Sequence, residues 1–491
     1  MIKSIAALAA ALCIPLSVAA QSPGATTKIG VLAGPGDGGH GSQNFYGTDL
    51  GITYKHDGTL HILFGDSWAD AASGTLSGTT HDDVFGTLAP LTGNAAEASP
   101  PTALLAASGN DPLTSNPSMT HADLGKTPLA AFSNGTDQYI IYHSTKPQGC
   151  RYDSQCDEGL TCDRGLGYLL NPWDDDEGWT LPCIDGTLFC NNSTMTNAWG
   201  WPVASGFCRD ATSSRYQPNA SGRVASVAVR HRVGVRQGAN SRDWAAIEWV
   251  TNKFANVTAR VGEIDGVERV LLWGRPGFAA VGATGRAADM YFAYADMPSG
   301  NPSFSWNVHY WTGSGWSNDQ NDAEAIIEND VDIVGQTSVA FVDDLDKWVM
   351  LYGGDMPSLP VPGFALCGVL EANVGADCWL VDHRDGEILM RTASDPRGPW
   401  SAAEVVIAAS DHDGADGMKL LHKPGCETPG VCAPHSPWPL YAGTNEYGVL
   451  YGVNIISEYT EPRTGSVDIY WNVSTWDPYN VTLLKTNIPI P

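Results

Sequence analysis

Residues 47–68 read GTDLGITYKHDGTLHILFGDSW and predict a β-hairpin. Apolar and β-branched runs flank the dipeptide Asp57-Gly58, and an Asp-Gly pair between two such runs is a strong signal for a two-residue turn. With this dipeptide as the turn, each residue faces the one that lies equally far from the turn on the other strand. That register places Asp49 directly opposite Asp66 at the open end of the hairpin.

Two aspartates that face each other across a hairpin need a compensating role, because like charges in that position are destabilising. Their repulsion separates the two pKa values and leaves a proton donor beside an ionised partner. Glycoside hydrolysis uses such a pair of carboxyl groups. We therefore interpret Asp49 and Asp66 as a candidate catalytic pair. A structural alternative has Asp66 capping the following turn and Asp49 binding loop amides or a cation.

The rest of the chain predicts an all-β fold. Short runs of apolar, β-branched and aromatic residues recur and end in turn residues, as in QYIIYHS at 138–144, MYFAYADMP at 290–298, KWVMLYGGD at 347–355 and VDIYWNVST at 467–475. Such runs indicate antiparallel meanders rather than βαβ units. Their repetition along the chain favours a β-propeller over a β-sandwich.

The cysteines predict a disulfide-rich insertion at 149–210. Of the 11 cysteines, Cys13 lies in the leader, which leaves an even ten. Six of these crowd into the insertion: Cys150, Cys156, Cys162, Cys183, Cys190 and Cys208. The other four form two local pairs, Cys367 with Cys378 and Cys426 with Cys432. No Cys-x-x-Cys spacing supports a zinc site, so disulfides are favoured.

The N-terminus and the charge predict an exported protein. Residues 1–20 combine an early lysine, a short apolar run and small residues, as a signal peptide does. No later stretch is apolar and long enough for a membrane helix. From the strand pattern, residues 21–491 are expected to form a single β-propeller domain. The formal net charge of −27 disfavours nucleic acid and anionic membranes as partners. We expect a monomer that is extracellular or periplasmic and binds a polysaccharide substrate.

Other polar positions are weaker candidates. The run HDD at 81–83 follows the hairpin, whereas Arg275 and Asp355 end later strands, where binding residues often lie on loops. The run DHDG at 411–414 resembles a cation loop but lacks the further ligands of a calcium site. No nucleophile elbow, phosphate loop or zincin motif occurs. No cofactor is predicted, and a bound structural cation is an open alternative.

A resemblance to a known family covers most of the mature chain outside the insertion. Residues 47–68 resemble the opening of glycoside hydrolase family 183, the endo-D-arabinanases that cut mycobacterial-type arabinan. The similarity continues at 125–144 (GKTPLAAFSNGTDQYIIYHS), 270–278 (VLLWGRPGF), 391–401 (RTASDPRGPWS) and 473–486 (VSTWDPYNVTLLKT). The first and last of these motifs are the most specific.

The resemblance implies a five-bladed propeller with a central acidic cleft, and it maps the acidic pair of the family onto Asp49 and Asp66. Two runs depart from the family pattern. Residues 81–83 read HDD where Arg-Ser-Asn is expected, and residues 336–339 read QTSV where a Glu is expected before Ser-Val.

From the residues and the resemblance together we expect a secreted glycoside hydrolase that cuts within a furanoside polysaccharide such as D-arabinan. Asp49 would act as base or nucleophile and Asp66 as acid or its pKa partner, although these roles are exchangeable. Trp68, Asp83 and Arg275 are the expected sugar contacts. Two alternatives stay open: a non-catalytic carbohydrate-binding propeller, and a glycosidase that acts on other sugars, such as uronic or sialic ones.

Overall fold

The computed structural model describes nineteen segments of the chain. These are residues 23–33, 48–65, 84–88, 91, 103–105, 127–145, 149–150, 160–163, 206–210, 229–236, 244–251, 253–254, 256–275, 289–300, 303–328, 336–353, 388–407, 450–476 and 479–490.

The described residues form an all-β protein, and β1 (Thr26–Ala33) precedes its first blade. The first blade contains β2 (Leu50–His56), β3 (Thr59–Phe64), β4 (Val84–Leu88) and β5 (Ala103–Leu105). The second blade begins with β6 (Thr127–Ser133) and β7 (Gln138–Thr145). A small sheet interrupts it, made of β8 (Gly149–Cys150), β9 (Leu160–Asp163) and β10 (Gly206–Asp210). The second blade then ends with β11 (Val229–Arg236) and β12 (Trp244–Thr251).

The remaining strands complete three further blades. The third contains β13 (Asn256–Ile264), β14 (Val267–Arg275), β15 (Met290–Ala295), β16 (Val308–Trp311), β17 (Trp316–Ser317) and β18 (Ala325–Ile327). The fourth contains β19 (Ser338–Val342), β20 (Lys347–Gly353), β21 (Ile388–Ala393) and β22 (Glu404–Ile407). The fifth contains β23 (Leu450–Ile455), β24 (Glu461–Arg463), β25 (Ser466–Trp476) and β26 (Tyr479–Pro489). Among the described residues, short 3₁₀ turns span Gln320–Asp322, Asp343–Leu345 and Ser457–Tyr459.

The five blades surround one axis. Their innermost strands contact one another in a closed cycle that runs from β2 through β6, β13, β19 and β23 back to β2. The strand β1 pairs with β26 and becomes the outermost strand of the fifth blade. Both ends of the described chain therefore belong to one sheet, and this pairing closes the ring. The expected five-bladed propeller is confirmed.

Each blade buries both of its faces because its strands are apolar on both sides. In β20, Val349 and Leu351 pack into a cluster with the fifth blade, whereas the alternate residues Trp348, Met350 and Tyr352 pack against the third. Full burial of one such side chain contributes about 1.5–3 kcal/mol. Further apolar clusters join the second blade to the third and the fifth to the first. The period-2 alternation of the strands therefore produces the stack of blades.

The hairpin of the first blade turns where the sequence indicates. Asp57 and Gly58 have φ values of 46° and 75°, as a type I′ turn requires of both central residues. Near this turn the register is the expected one, since Tyr54 faces His61. The turn prediction is confirmed.

The small sheet lies in the chain between β7 and β11, which are neighbouring strands of the second blade. Its strand order is β8-β10-β9, and Cys208 is the register partner of Cys162. The disulfide framework stays a prediction. Within the described segments, no helix has the length and apolar character needed to cross a membrane.

Candidate functional site

The site is built at the end of the ring where the inner strands begin. Asp49 immediately precedes β2, and its residue exposure is only 7%. Tyr451 and Gly452 lie at the start of β23, and Gln336 lies just before β19. We call the region formed by Asp49, Gln336, Tyr451 and Gly452 the axial mouth. It brings together the first, fourth and fifth blades.

A β-bulge sets the position of Asp49. The register of β2 shifts between Leu50 and Ile52, and both Leu50 and Gly51 have positive φ, 67° and 81°. Leucine rarely adopts this left-handed conformation, so the surroundings must stabilise it. Bulges of this kind re-aim a side chain and are common beside active sites.

The fifth blade stabilises this bulge. Leu50 N donates a 2.7 Å hydrogen bond to Ser474 Oγ, and Asn472 Nδ2 donates a 2.8 Å bond to Gly51 O. Asn472 and Ser474 are both fully buried on β25. A Cβ on Gly51 would lie 2.9 Å from Asn472 Oδ1, so glycine is needed both for its φ and for this close approach. The last blade therefore decides how the first blade presents Asp49.

Because of this bulge, the observed pairing of Asp49 differs from the predicted one. Asp49 lies opposite Gly65, whose backbone N–H donates a 3.1 Å bond to Asp49 O. The prediction that Asp49 faces Asp66 directly is therefore wrong, because the bulge at Gly51 shifts the register by one residue. A side chain at position 65 would collide with Asp49 Oδ1 and, at 2.8 Å, with Leu50 Cδ1. Gly65 thus makes room for the carboxylate.

Tyr451 is a polar neighbour of the Asp49 carboxylate. Its hydroxyl donates a buried 2.8 Å hydrogen bond to Asp49 Oδ2. A donated hydrogen bond stabilises a carboxylate in its ionised form. Our sequence reasoning missed Tyr451. The available signal was the glycine that follows it inside a strand pattern, since such a glycine often marks a bulge.

A second bulge lies beside Tyr451. The register of β23 with β25 shifts between Tyr451 and Asn454, and Gly452 has a φ of 64°. A Cβ on Gly452 would lie 2.9 Å from Ser474 Oγ, 3.1 Å from Gln336 Oε1 and 3.3 Å from Leu50 Cα. Two bulged strand starts and the Gln336 side chain therefore converge at the axial mouth.

Arg275 lies at the corresponding end of the third blade. It ends β14 opposite Asn256, the first residue of the inner strand β13. The two residues are 3% and 5% exposed. A buried guanidinium requires hydrogen-bond acceptors around it, so Arg275 is a fixed group rather than a mobile surface arginine.

Several residues singled out by the sequence lie outside the described segments: Asp66, Trp68, His81, Asp82, Asp83, Asp355 and the run at 411–414. In the described part of the chain, no group of three or more His, Cys, Asp and Glu side chains has the arrangement of a metal site.

Arg260 extends across the central channel, which is the space around the axis enclosed by the inner strands of the blades. This residue of β13 donates hydrogen bonds to Val339 O at 2.8 Å, Thr53 O at 3.0 Å and Ile455 O at 2.9 Å. A longer bond of 3.4 Å reaches Asn454 Oδ1. Burial lowers the pKa of Arg260 while the nearby Glu458 carboxylate raises it, and the guanidinium stays protonated. One side chain thus joins the inner strands of four blades.

Two buried histidines are unsuited to acid–base work near neutral pH. Burial lowers the pKa of His231 to about 4, although its Nε2–H donates a 2.7 Å bond to Phe254 O. Burial, with the charges of Arg236 and His56, lowers the pKa of His61 to about 4 as well. His61 stacks on Tyr54 with ring centroids 5.1 Å apart. Both rings are neutral core groups.

Comparisons with known proteins give only remote similarity. No protein-family model matches the chain, and no curated protein matches it. A solved structure from Bacteroides ovatus, proposed to be a hydrolase, is 11% identical, with a TM-score of 0.37 over 90% of this chain and 86% of that chain. A protein of unknown function from Dyadobacter fermentans is also 11% identical, with a TM-score of 0.34 over 95% of this chain and 99% of that chain. Similarity at this level supports no statement about chemistry.

Proposed function

We propose that this protein is an exported glycoside hydrolase that cuts within an uncharged furanoside polysaccharide, with D-arabinan as the first polymer to test. The observation that carries the proposal is the buried Asp49 carboxylate at the axial mouth, held by the Tyr451 hydroxyl at 2.8 Å. A carboxylate kept out of water in a bulged strand start is costly, and catalysis is a reason to keep it.

Hydrolysis of a glycosidic bond needs a second carboxyl group, and Asp66 supplies it in this proposal. Asp66 follows Gly65, the residue opposite Asp49, and adjacent Cα atoms are about 3.8 Å apart. Asp49, whose Oδ2 accepts the hydrogen bond from Tyr451, is the base or nucleophile in this proposal. Asp66 then protonates the leaving oxygen. The distance between the two carboxyl groups determines whether configuration is retained or inverted.

The closed channel supports cleavage inside a polymer. Because Arg260 joins the inner strands of four blades across the axis, a polysaccharide cannot thread through the ring. It must approach from the axial mouth and lie across it, which exposes internal bonds to Asp49. Trp68, Asp83 and Arg275 are the proposed sugar contacts around this path.

An uncharged substrate fits the charge of the protein. The chain carries 54 acidic and 27 basic residues, and anionic sugars are normally held by groups of arginines. The furanoside preference, and D-arabinan in particular, rests on the resemblance of residues 47–68 and 473–486 to glycoside hydrolase family 183.

The test is digestion of D-arabinan, plant arabinan and a uronic-acid polymer, with sizing of the products. We expect wild type to shorten D-arabinan and both Asp49→Asn and Asp66→Asn to lose at least about 1,000-fold in rate, because each removes an essential carboxyl group. The matched control is Asp57→Asn, at the exposed turn of the same hairpin, where asparagine also tolerates positive φ.

Full hydrolysis by Asp49→Asn would refute the assignment. Saturable binding of the polymer by wild type without any shortening would instead identify a carbohydrate-binding propeller.

A further inference from the structure

We propose that Gln336 and Thr337, just before the inner strand of the fourth blade, form a subsite for the hydroxyl groups of an uncharged sugar beside Asp49. This subsite deepens the proposed function and rests on it. Neither residue is part of the hairpin that carries the two aspartates.

The contact between Gln336 and Gly452 places the amide at the axial mouth. A Cβ on Gly452 would lie 3.1 Å from Gln336 Oε1 and 3.3 Å from Leu50 Cα. Gly452 follows Tyr451, and Leu50 follows Asp49, so the amide lies against the backbone of both strands that carry the Asp49–Tyr451 pair. The missing side chain at Gly452 is what admits the amide to this position.

Both polar groups have unused hydrogen-bonding capacity. Gln336 is partly exposed, and its amide forms no hydrogen bond with any residue that the structure describes. The Thr337 residue is 9% exposed, and its Oγ1 is buried without a hydrogen-bond partner in the described part of the chain. Buried polar groups almost always have a partner. The Thr337 hydroxyl is such a group, and the partly exposed Gln336 amide next to it in sequence is accessible at the axial mouth. From this pair we infer that a ligand supplies the partner that the hydroxyl lacks.

The chemistry of these groups matches sugar hydroxyls. An amide and a hydroxyl each donate and accept hydrogen bonds, as a sugar hydroxyl does. Neither carries a charge that would pair with a uronate or a sialate. The Asp49 carboxylate nearby repels such anionic groups, so the subsite selects an uncharged ring next to the bond that is cut.

The experiment measures binding and turnover separately. Binding of soluble D-arabinan, plant arabinan and a neutral mannan is followed by calorimetry in the Asp49→Asn background, where the polymer stays intact. Turnover is followed in the otherwise wild-type protein. We expect Gln336→Ala and Thr337→Val each to raise Kd and KM about 5- to 10-fold, the loss of one neutral hydrogen bond, with kcat within about twofold.

Two further variants sharpen the result. Gln336→Glu keeps the size of the side chain but loses the hydrogen-bond donor and adds a charge beside Asp49. Its Kd for D-arabinan should therefore be equal to or higher than that of Gln336→Ala. The matched control is Gln320→Ala in the third blade, which removes an amide whose Oε1 accepts a hydrogen bond from Thr251 of the second blade, and it should leave Kd and KM unchanged.

The outcomes separate the subsite from the hydrolase. If wild type cuts the polymer and both Gln336→Ala and Thr337→Val keep its Kd and KM, the subsite is refuted while the hydrolase stands. If wild type binds but never cuts, and the two variants weaken binding, the subsite stands and the hydrolase fails. If no uncharged polymer binds, the subsite is refuted.

Discussion

The hydroxyl of Tyr451 donates a hydrogen bond to the carboxylate of Asp49 across 402 positions of sequence. The first blade thus presents a buried acid that the last blade holds in place. The same two blades share the contacts of Leu50 with Ser474 and of Gly51 with Asn472. The contacts that join the first and fifth blades are therefore also the contacts that position Asp49.

Replacement of Tyr451 by phenylalanine should reduce polysaccharide cleavage about 10- to 100-fold, because a hydrogen bond to a charged group is worth about 1.5–3 kcal/mol. Initial rates on D-arabinan measure the effect. The control is Tyr470→Phe, which removes a buried hydroxyl of the same blade that lies 3.5 Å from Glu461 Oε2. Equal rates for wild type and Tyr451→Phe would show that the Tyr451 hydroxyl does not contribute to catalysis.

Gly65→Ala should impair cleavage while the propeller still folds. The added methyl would collide with Asp49 Oδ1 and lie 2.8 Å from Leu50 Cδ1, so the carboxylate must shift. Overpacking of this kind costs about 1–3 kcal/mol. Gly315→Ala is the control, since its methyl would have no neighbour nearer than 3.9 Å. Rates and thermal melting of both variants should be compared, and a fully active Gly65→Ala would contradict the proposed position of Asp49.

Loss of the Arg260 guanidinium should destabilise the whole ring. Arg260→Met leaves the carbonyl groups of Thr53, Val339 and Ile455 without their donor. We expect the free energy of unfolding to fall by about 2–4 kcal/mol, since each unsatisfied buried acceptor costs about 1–3 kcal/mol and water replaces part of the loss.

Urea denaturation measures this change. The comparison is Arg232→Met, because Arg232 is a partly exposed residue 3.8 Å from Glu248 and such pairs contribute about 0–1 kcal/mol. Similar denaturation midpoints for the two variants would show that Arg260 does not hold the blades together.

Acid should destabilise the protein partly through His231. Burial lowers the pKa of His231 from 6.5 to about 4, so the unfolded chain takes up this proton at a higher pH than the folded one. Stability is therefore unaffected above pH 6.5 and falls as the pH drops from 6.5 to 4. The full effect is about 3 kcal/mol.

His231→Gln removes this titration and retains a donor for Phe254 O. Its stability should fall less than that of wild type between pH 7 and pH 4, whereas the difference between the two proteins should stay constant above pH 7. Urea unfolding at several pH values provides the measurement. Parallel pH curves would mean that His231 is protonated equally in the folded and unfolded states.

Local chemistry was enough to locate the first hairpin. Asp57 and Gly58 tolerate positive φ, and the alternating apolar residues on either side form two strands that bury both faces. Register near the turn follows from the turn itself, which is why the facing of Tyr54 and His61 was predictable. The same reasoning failed at Gly51, six residues before Asp57, where the bulge shifts the register.

By itself, the amino-acid sequence determined what depends on neighbouring residues: strands from alternation, turns from residues that accept positive φ, and an all-β meander from their repetition. Only the tertiary structure decided that Gly65 faces Asp49, that Tyr451 holds its carboxylate and that Arg260 spans the channel. The physical reason is that each of these contacts joins different strands, and most join different blades. Their geometry exists only once the ring has closed, so no local pattern encodes it.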